Sequence, residues 1–395
     1  MNVDDTDEQW RMMVIPTIIA MTIASIVLFL LRMKNRSTSS SEQPNKKELT
    51  TIVTELIIYP IKSCAPMKVQ SALVTEIGFL YDRFIQVSDS NGNYLTPRDK
   101  QNEKLFHIKP IIITVQDTDT DTDTDYGNNN MDLELTCSTT SSGDSTTSST
   151  FRVNNFNEKI KNSSSVTKEV KPMIGPNVQL QDLGDEAALW LSNVTNIKDC
   201  RLTAIGSKYH RLVEINPDQG DIVPVPSSLK MKVPPVVSLA DEAPFLLTSS
   251  LSLMDLNTRL KVRGKSIVDM QRFRPNIVVS GKSLLPWEED TWKRIKIGGV
   301  EFHVWQRCGR CTMTTIDRQT LQRGPEPLAT LSTFRERDNG MRNFGMHMIP
   351  IINNTSPSSS MEIHAVTSLL EVGHTLEVLE YDEQRLKEWK RLFSS

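Results

Sequence analysis

The hydrophobic pattern changes character three times along the chain. Met12 to Leu31 is twenty residues without a charge, long enough as a helix to cross a bilayer core. A buried core helix of that length would keep a polar face, and this one has none. From Glu48 the pattern switches to short β-branched runs. Leu49 to Tyr59 predicts a strand ended by Pro60, and further strands are expected at 69–75, 84–88, 109–116, 201–213, 273–280, 293–297, 300–305 and 312–316, with two more inside 362–379 around Gly373. Asp89 to Asn93 contains an Asn-Gly pair and predicts a turn. Helical periodicity appears at 185–191, with Asp182 or Asp185 as cap, and at 385–393. It also appears at 249–260, where Leu251, Met254, Leu256 and Leu260 fall near one face behind a Ser249 or Ser250 cap. The body therefore reads as mainly β with a few helices, built as barrels or sandwiches.

Between these runs lie stretches with too little apolar surface to offset ordering entropy. Residues 37–47 read as a polar tether. An Asp/Thr alternation at 117–125, a Ser/Thr/Gly run at 136–150 and the stretch 157–168 predict a disordered insertion over 117–168. The Asp/Thr run lacks the Gly and closing Glu of a calcium-binding EF-hand loop. Residues 217–236 are Pro-rich and read as a loop over a cleft.

Charge adds an orientation. Acids precede the apolar segment, while Arg32, Lys34, Arg36, Lys46 and Lys47 follow it. By the positive-inside rule the body faces the cytosol. The n-region is acidic and no small-residue cleavage site follows, which excludes a cleaved signal peptide. A net charge of −3 gives no support for nucleic-acid binding. Five cysteines, an odd and sparse set, argue against a disulfide scaffold and for a reducing compartment.

The densest chemistry lies at Trp305 to Asp317, which holds Cys308-Gly309-Arg310-Cys311. A zinc site would need a second Cys/His pair at close spacing, and none follows. A redox dithiol would open a helix, whereas a β-branched run follows here. A single thiolate holding a metal beside basic residues stays open, as does a pair of buried core cysteines. Other bases sit at predicted strand ends: Lys62 after Tyr59-Pro60, Arg83 before Phe84, and Arg274 in Phe273-Arg274-Pro275-Asn276. Planar guanidinium forks suit phosphate. Spacing alone does not show that they converge.

The ordered set YPIKSC (59–64), DRF (82–84), LLTSSLSLMDLN (246–257), FRPNIVV (273–279), PWEEDTWKRIKIG (286–298), RCGRCTMTTID (307–317) and NFG (343–345) resembles the MOSC-domain proteins, and more narrowly the mitochondrial amidoxime-reducing component family. The resemblance covers about 50–381, apart from the insertion at 117–168. It implies an N-terminal membrane anchor and tether (1–47, helix 12–31), a MOSC N-terminal β-barrel domain (48–216), a MOSC β-barrel domain (217–381) and a helical tail (382–395). It also implies a molybdenum pyranopterin cofactor between the two domains. Cys311 would be the metal ligand and a catalytic residue. Lys62, Ser63, Arg83, Arg274, Asn276, Gly309, Arg310 and His347 would bind the cofactor. Asp317, near the thiolate in sequence, is a candidate proton relay, with turn capping as its ordinary role. The Asp241-Glu242-Ala243-Pro244-Phe245 segment departs from the family's Asp-Thr-Ser-Pro-Phe pattern, with Glu242 and Ala243 in place of the Thr and Ser. The resemblance further implies reduction of amidoximes and hydroxylamines to amidine or amine with release of water. Electrons would come from cytochrome b5, fed by an NADH-cytochrome b5 reductase, at the outer mitochondrial membrane. The rival reading is a sulfur-carrying MOSC module working with a pyridoxal-phosphate-dependent sulfurase, although no pyridoxal-binding lysine domain is visible in the chain.

Overall fold

The computed structural model describes residues 50–114, 131–140, 146–161, 166–206, 209–213, 222, 224, 235–337, 339–352 and 368–393. The apolar segment 12–31, the tether, the Asp/Thr run and most of 217–236 lie outside them. Among the described residues, no helix is long and apolar enough to cross a membrane.

The expected first strand becomes a barrel stave. Seven strands, numbered in chain order, are β1 (Thr51–Ile58), β2 (Phe245–Ser249), β3 (Ile277–Ser280), β4 (Trp292–Ile297), β5 (Val300–Arg310), β6 (Arg342–Ile351) and β7 (Thr375–Tyr381). They pair in the order β3-β2-β6-β5-β4-β7-β1, and β1 returns to β3 through Leu56↔Ile277, closing the barrel. Every pairing is antiparallel except β2 with β3. Closure leaves no edge exposed within the ring. Side chains two apart point inward together: Phe245 and Leu247, Ile295 and Ile297, Phe302 and Val304 share one interior cluster. Burying each such side chain contributes roughly 1.5–3 kcal/mol.

The outer face of β1 and β3 is covered in turn. Ile57, Tyr59 and Val278 pack with Leu256 and Leu260 of the Ser250–Val262 helix, with Phe273, and with Trp287. Ser249 caps this helix by accepting from the Leu251 amide at 3.1 Å. Met254 does not join the buried face; it is 58% exposed.

Between β1 and β2, Met67–Val69 pairs with β1, Ser71–Thr75 and Gly78–Phe79 form a small sheet with Ser368–Glu371, and the remaining strands form two further sheets around their own core. One is four-stranded (Ile85–Ser88, Arg201–Ala204, Val178–Asp182, Thr167–Val170), and one is a meander of Ile108–Thr114, Met131–Thr140 and Thr146–Val153. Leu133, Leu135 and Cys137 from the meander share a core with Leu180, Leu191 and Leu202.

Several expectations need correction. The insertion predicted as disordered over 117–168 contains the last two meander strands and a helix, Phe156–Lys161. A low apolar count hid a period-two face at 133, 135 and 137, and threonine suits a strand despite its polarity. Thr312–Thr315 is a 3-10 turn rather than a strand. Strand 69–75 breaks at Gln70 into two. The 185–195 helix has Gly184 at its N-cap; Asp182 accepts from the Gly184 amide just outside. Two staves, β2 and β6, had no expectation at all. All five residues of β2 are buried, so its sequence does not alternate. Gly345 and Pro350 make β6 look like loop.

Candidate functional site

The site is built where the barrel meets the smaller sheets, in a cleft of about 320 Å³. Its walls come from segments far apart in the chain. After β1, Tyr59-Pro60 turns the chain so that Lys62 and Ser63 enter the cleft. The Asp82-Arg83 turn supplies Arg83, and the turn before β3 supplies Arg274 and Asn276. The end of β5 supplies Gly309, Arg310 and, one residue on, Cys311. All of these, together with His347 from β6, line the same cleft. Every cofactor-binding candidate from the sequence is therefore brought together. Asp317 is not: it pairs with Arg272 at 2.6 Å and accepts from the amides of Gln319 and Thr320, so it caps a turn and holds Arg272 against the cleft wall.

The local backbone is strained for this purpose. Ser63 (φ 68°), Arg83 (φ 51°) and Arg274 (φ 55°) all lie in the left-handed region. Non-glycine residues there cost energy and persist where surrounding contacts fix them. Here the contacts are specific. Asp82 accepts from the Tyr59 amide at 2.8 Å and pairs with Arg83. Arg83 also donates to Asn276 Oδ1 and the Arg274 carbonyl, both at 3.1 Å. Arg274 donates to the Cys64 carbonyl at 2.8 Å. The Tyr59 ring lies under both guanidinium groups, 4.8 Å from Arg83 and 4.2 Å from Arg274.

Six cationic side chains (Lys62, Arg83, Arg98, Arg272, Arg274, Arg310) face two carboxylates, Asp241 and Glu242. This is a strong local excess in a chain of net charge −3. Lys62 is buried and pairs with Asp241 at 2.5 Å. Burial lowers the Lys62 pKa, and the Asp241 charge opposes that shift. Burial and the neighbouring Arg318 push Arg274 down to about 10, so it stays charged at neutral pH. Glu242 turns toward His347 at 3.4 Å, and Gln306 Nε2 also meets the His347 ring at 3.2 Å. Burial takes His347 down to about 4, against the pull of Glu242, so the imidazole is neutral at pH 7.

The two cysteines have unequal surroundings. Cys308 is buried and receives Arg310 Nη1 at 2.7 Å; burial still pushes its thiol up to about 11. Cys311 is exposed, at the cleft mouth. The guanidinium on its sulfur is not the adjacent Arg310 but Arg98, 3.1 Å away and 213 positions earlier. Sequence reasoning missed Arg98, Asp241 as partner of Lys62, and Arg272. Arg98 follows Thr96-Pro97 in ordinary loop text, with no local signal of its role. Arg272, two residues before Arg274, is the nearest to a readable one.

Three buried N–H groups in the cleft arginines have no partner among the described residues: Arg98 Nε, Arg274 Nη2 and Arg310 Nε. Unpaired buried donors are costly, and an anion with several oxygens would satisfy them. Adjacent to them stands an exposed thiol, a good soft metal ligand once deprotonated.

Two family models match the chain: the MOSC N-terminal beta barrel domain over residues 50–198 and the MOSC domain over residues 234–376. The chain belongs to the MOSC-domain family. Among its relatives, the mouse (Mus musculus) mitochondrial amidoxime-reducing component 1 is 31% identical over 72% of this chain and 71% of its own length. The rat (Rattus norvegicus) amidoxime reducing component 2 is 30% identical over 75% of this chain and 78% of its own length. The zebrafish (Danio rerio) molybdenum cofactor sulfurase is 30% identical over 86% of this chain, yet the match spans only 37% of that relative. This MOSC protein thus has relatives of two kinds. Its barrel also crosses the boundaries of these matches: β1 lies inside the N-terminal match and most of β7 beyond residue 376, while the other five staves lie inside the MOSC match.

Proposed function

We propose that this chain is a molybdenum-cofactor oxidoreductase that reduces N-hydroxylated compounds such as amidoximes and hydroxylamines. The observation that carries the reading is the exposed Cys311 thiol beside a cleft whose arginines hold unpartnered N–H groups. The near-equal coverage of this chain and the amidoxime-reducing relatives supports the same reading.

When bound, the molybdenum pyranopterin supplies the redox centre. Two electrons and two protons convert an amidoxime to an amidine and water. The chain's residues account for binding and orientation. Cys311 is the metal ligand, and Lys62, Arg83 and Arg274 offset the negative charge of a pterin phosphate. The Asn276 amide accepts from the Leu246 N–H and donates to the Ile57 carbonyl, which fixes it in the cleft wall where its Oδ1 also holds Arg83. Gly309 and Arg310 form the wall beside the thiol, and Ser63 and neutral His347 offer short polar contacts. Electrons arriving singly from cytochrome b5, and anchoring by residues 12–31 with the body in the cytosol at the outer mitochondrial membrane, complete the proposal.

The test uses the full chain produced in a host that makes the cofactor. About one molybdenum per chain, together with benzamidoxime reduction by cytochrome b5 and its reductase, is expected. Protein that carries no molybdenum from such a host would sink the reading. The sulfur-carrier alternative draws on the same exposed Cys311 and on the sulfurase relatives. A persulfide on Cys311, formed with a cysteine desulfurase and without amidoxime reduction, would favour it.

A further inference from the structure

Among the described residues, the Ser250–Val262 helix leaves one face without a partner. Its opposite stripe, Ser252, Leu256 and Leu260, is buried against the barrel. The free stripe ends in a groove between Met254, Lys261 and Ile267. Residues 261–267, Lys-Val-Arg-Gly-Lys-Ser-Ile, are all exposed. Within and beside them Met254 is 58% exposed, Val262 71% and Ile267 57%. Among the described residues, no ion pair uses the side chains of Lys261, Arg263 or Lys265.

Bases at a helix C-terminus complement the macrodipole, which is reason enough for Lys261 and Arg263. It is no reason for three large apolar side chains interleaved with them and facing water. Val262 and Ile267 stand among lysine and arginine with no acid between Asp255 and Asp269, and Met254 shares the groove with Lys261 and Ile267; this combination matches the requirements of an anionic lipid surface. The apolar groups enter the headgroup boundary, and each base gains from the surface charge.

We infer that the face formed by Met254, Val262 and Ile267 with Lys261, Arg263 and Lys265 docks on an anionic membrane surface. The interaction is separate from any spanning segment and does not rest on the redox reading. Its charge complementarity selects lipid composition, whereas an apolar spanning helix does not.

Hydrogen exchange read by mass spectrometry tests this on the full chain. The chain is bound to vesicles of phosphatidylcholine alone, or with about one-third phosphatidylserine. Amides of 261–267 should exchange roughly tenfold more slowly on the anionic vesicles, and the difference should collapse in high salt. The K261E/R263E/K265E variant should lose the protection while the amides of β5 exchange as before, which shows that the barrel is intact. Equal exchange on both vesicle types would overturn the proposal. So would protection that grows with protein concentration without lipid, which would assign the face to a second copy of the chain.

Discussion

Within the cleft, neighbours in space decide what each side chain can do. Arg310 is adjacent to Cys311 in sequence, yet its guanidinium lies on Cys308, while Arg98 reaches Cys311. Cys311→Ser should therefore abolish molybdenum retention, and Cys308→Ser should leave most of it; metal analysis of the two purified variants separates them, and equal retention would refute the assignment. Tyr59 is a second case. Its ring carries Arg83 and Arg274, but its hydroxyl is buried without a hydrogen-bond partner among the described residues. Tyr59→Phe should leave stability unchanged or raise it by about 1 kcal/mol. Tyr59→Leu should lower it by about 3 kcal/mol through lost cation–π contact and packing. Denaturant unfolding of both proteins checks the difference.

Elements place these residues through turns and close approaches. Gly345 on β6 has φ 82°, and a Cβ there would stand 2.8 Å from the Leu247 carbonyl oxygen of β2. That contact is backbone and cannot swing away. Gly345→Ala should cost about 3 kcal/mol. Gly309 on β5 meets only the flexible end of Met341, so Gly309→Ala should cost about 1 kcal/mol. Thermal unfolding of the pair measures the contrast. The expected strands at 293–297 and around Gly373 were legible because one face is core and the other is not, and those at 49–59 and 300–305, buried in part on both faces, were legible from their β-branched and aromatic composition. Strand β2 was not, because burial on both faces removes the alternation. The 3-10 turn at 312–315 was misread because Thr-Met-Thr-Thr has strand composition; Thr314 and Thr315 instead bond back to the Cys311 and Thr312 carbonyls.

For the molecule as a whole, the cleft and the barrel share one stability. His347 sits on β6, facing Glu242, Gln306, Arg83 and Arg310. Burial lowers its folded-state pKa to about 4 from an ordinary 6.5. Between those values the unfolded chain binds the extra proton, so stability falls as pH drops from 6.5 toward 4 and is unaffected above that window. The loss reaches about 3 kcal/mol. His347→Gln should flatten this part of the acid-unfolding curve, measured by denaturant midpoints at pH 7, 6, 5 and about 4. A curve of unchanged slope would show that other groups control it. The barrel also joins the first and last of its strands along the chain, since β1 from residues 51–58 pairs with β7 from 375–381.

By itself the sequence determined the mainly β class, the capped helix expected at 249–260 and found at 250–262, and an ordered set of motifs sufficient to indicate the family and its cleft residues. Those features are local: a period of two, a capping serine, a cysteine pair between bases. Only the tertiary structure decided that Lys62, Arg83, Arg274, Asn276, Arg310, Cys311 and His347 share one cavity. It also brought Arg98 to the thiol, Asp241 to Lys62, and two meander strands out of Ser/Thr-rich text. The physical reason is that barrel closure and sheet pairing set distances between residues up to more than 200 positions apart. Such contacts leave no periodic trace in the segments that make them.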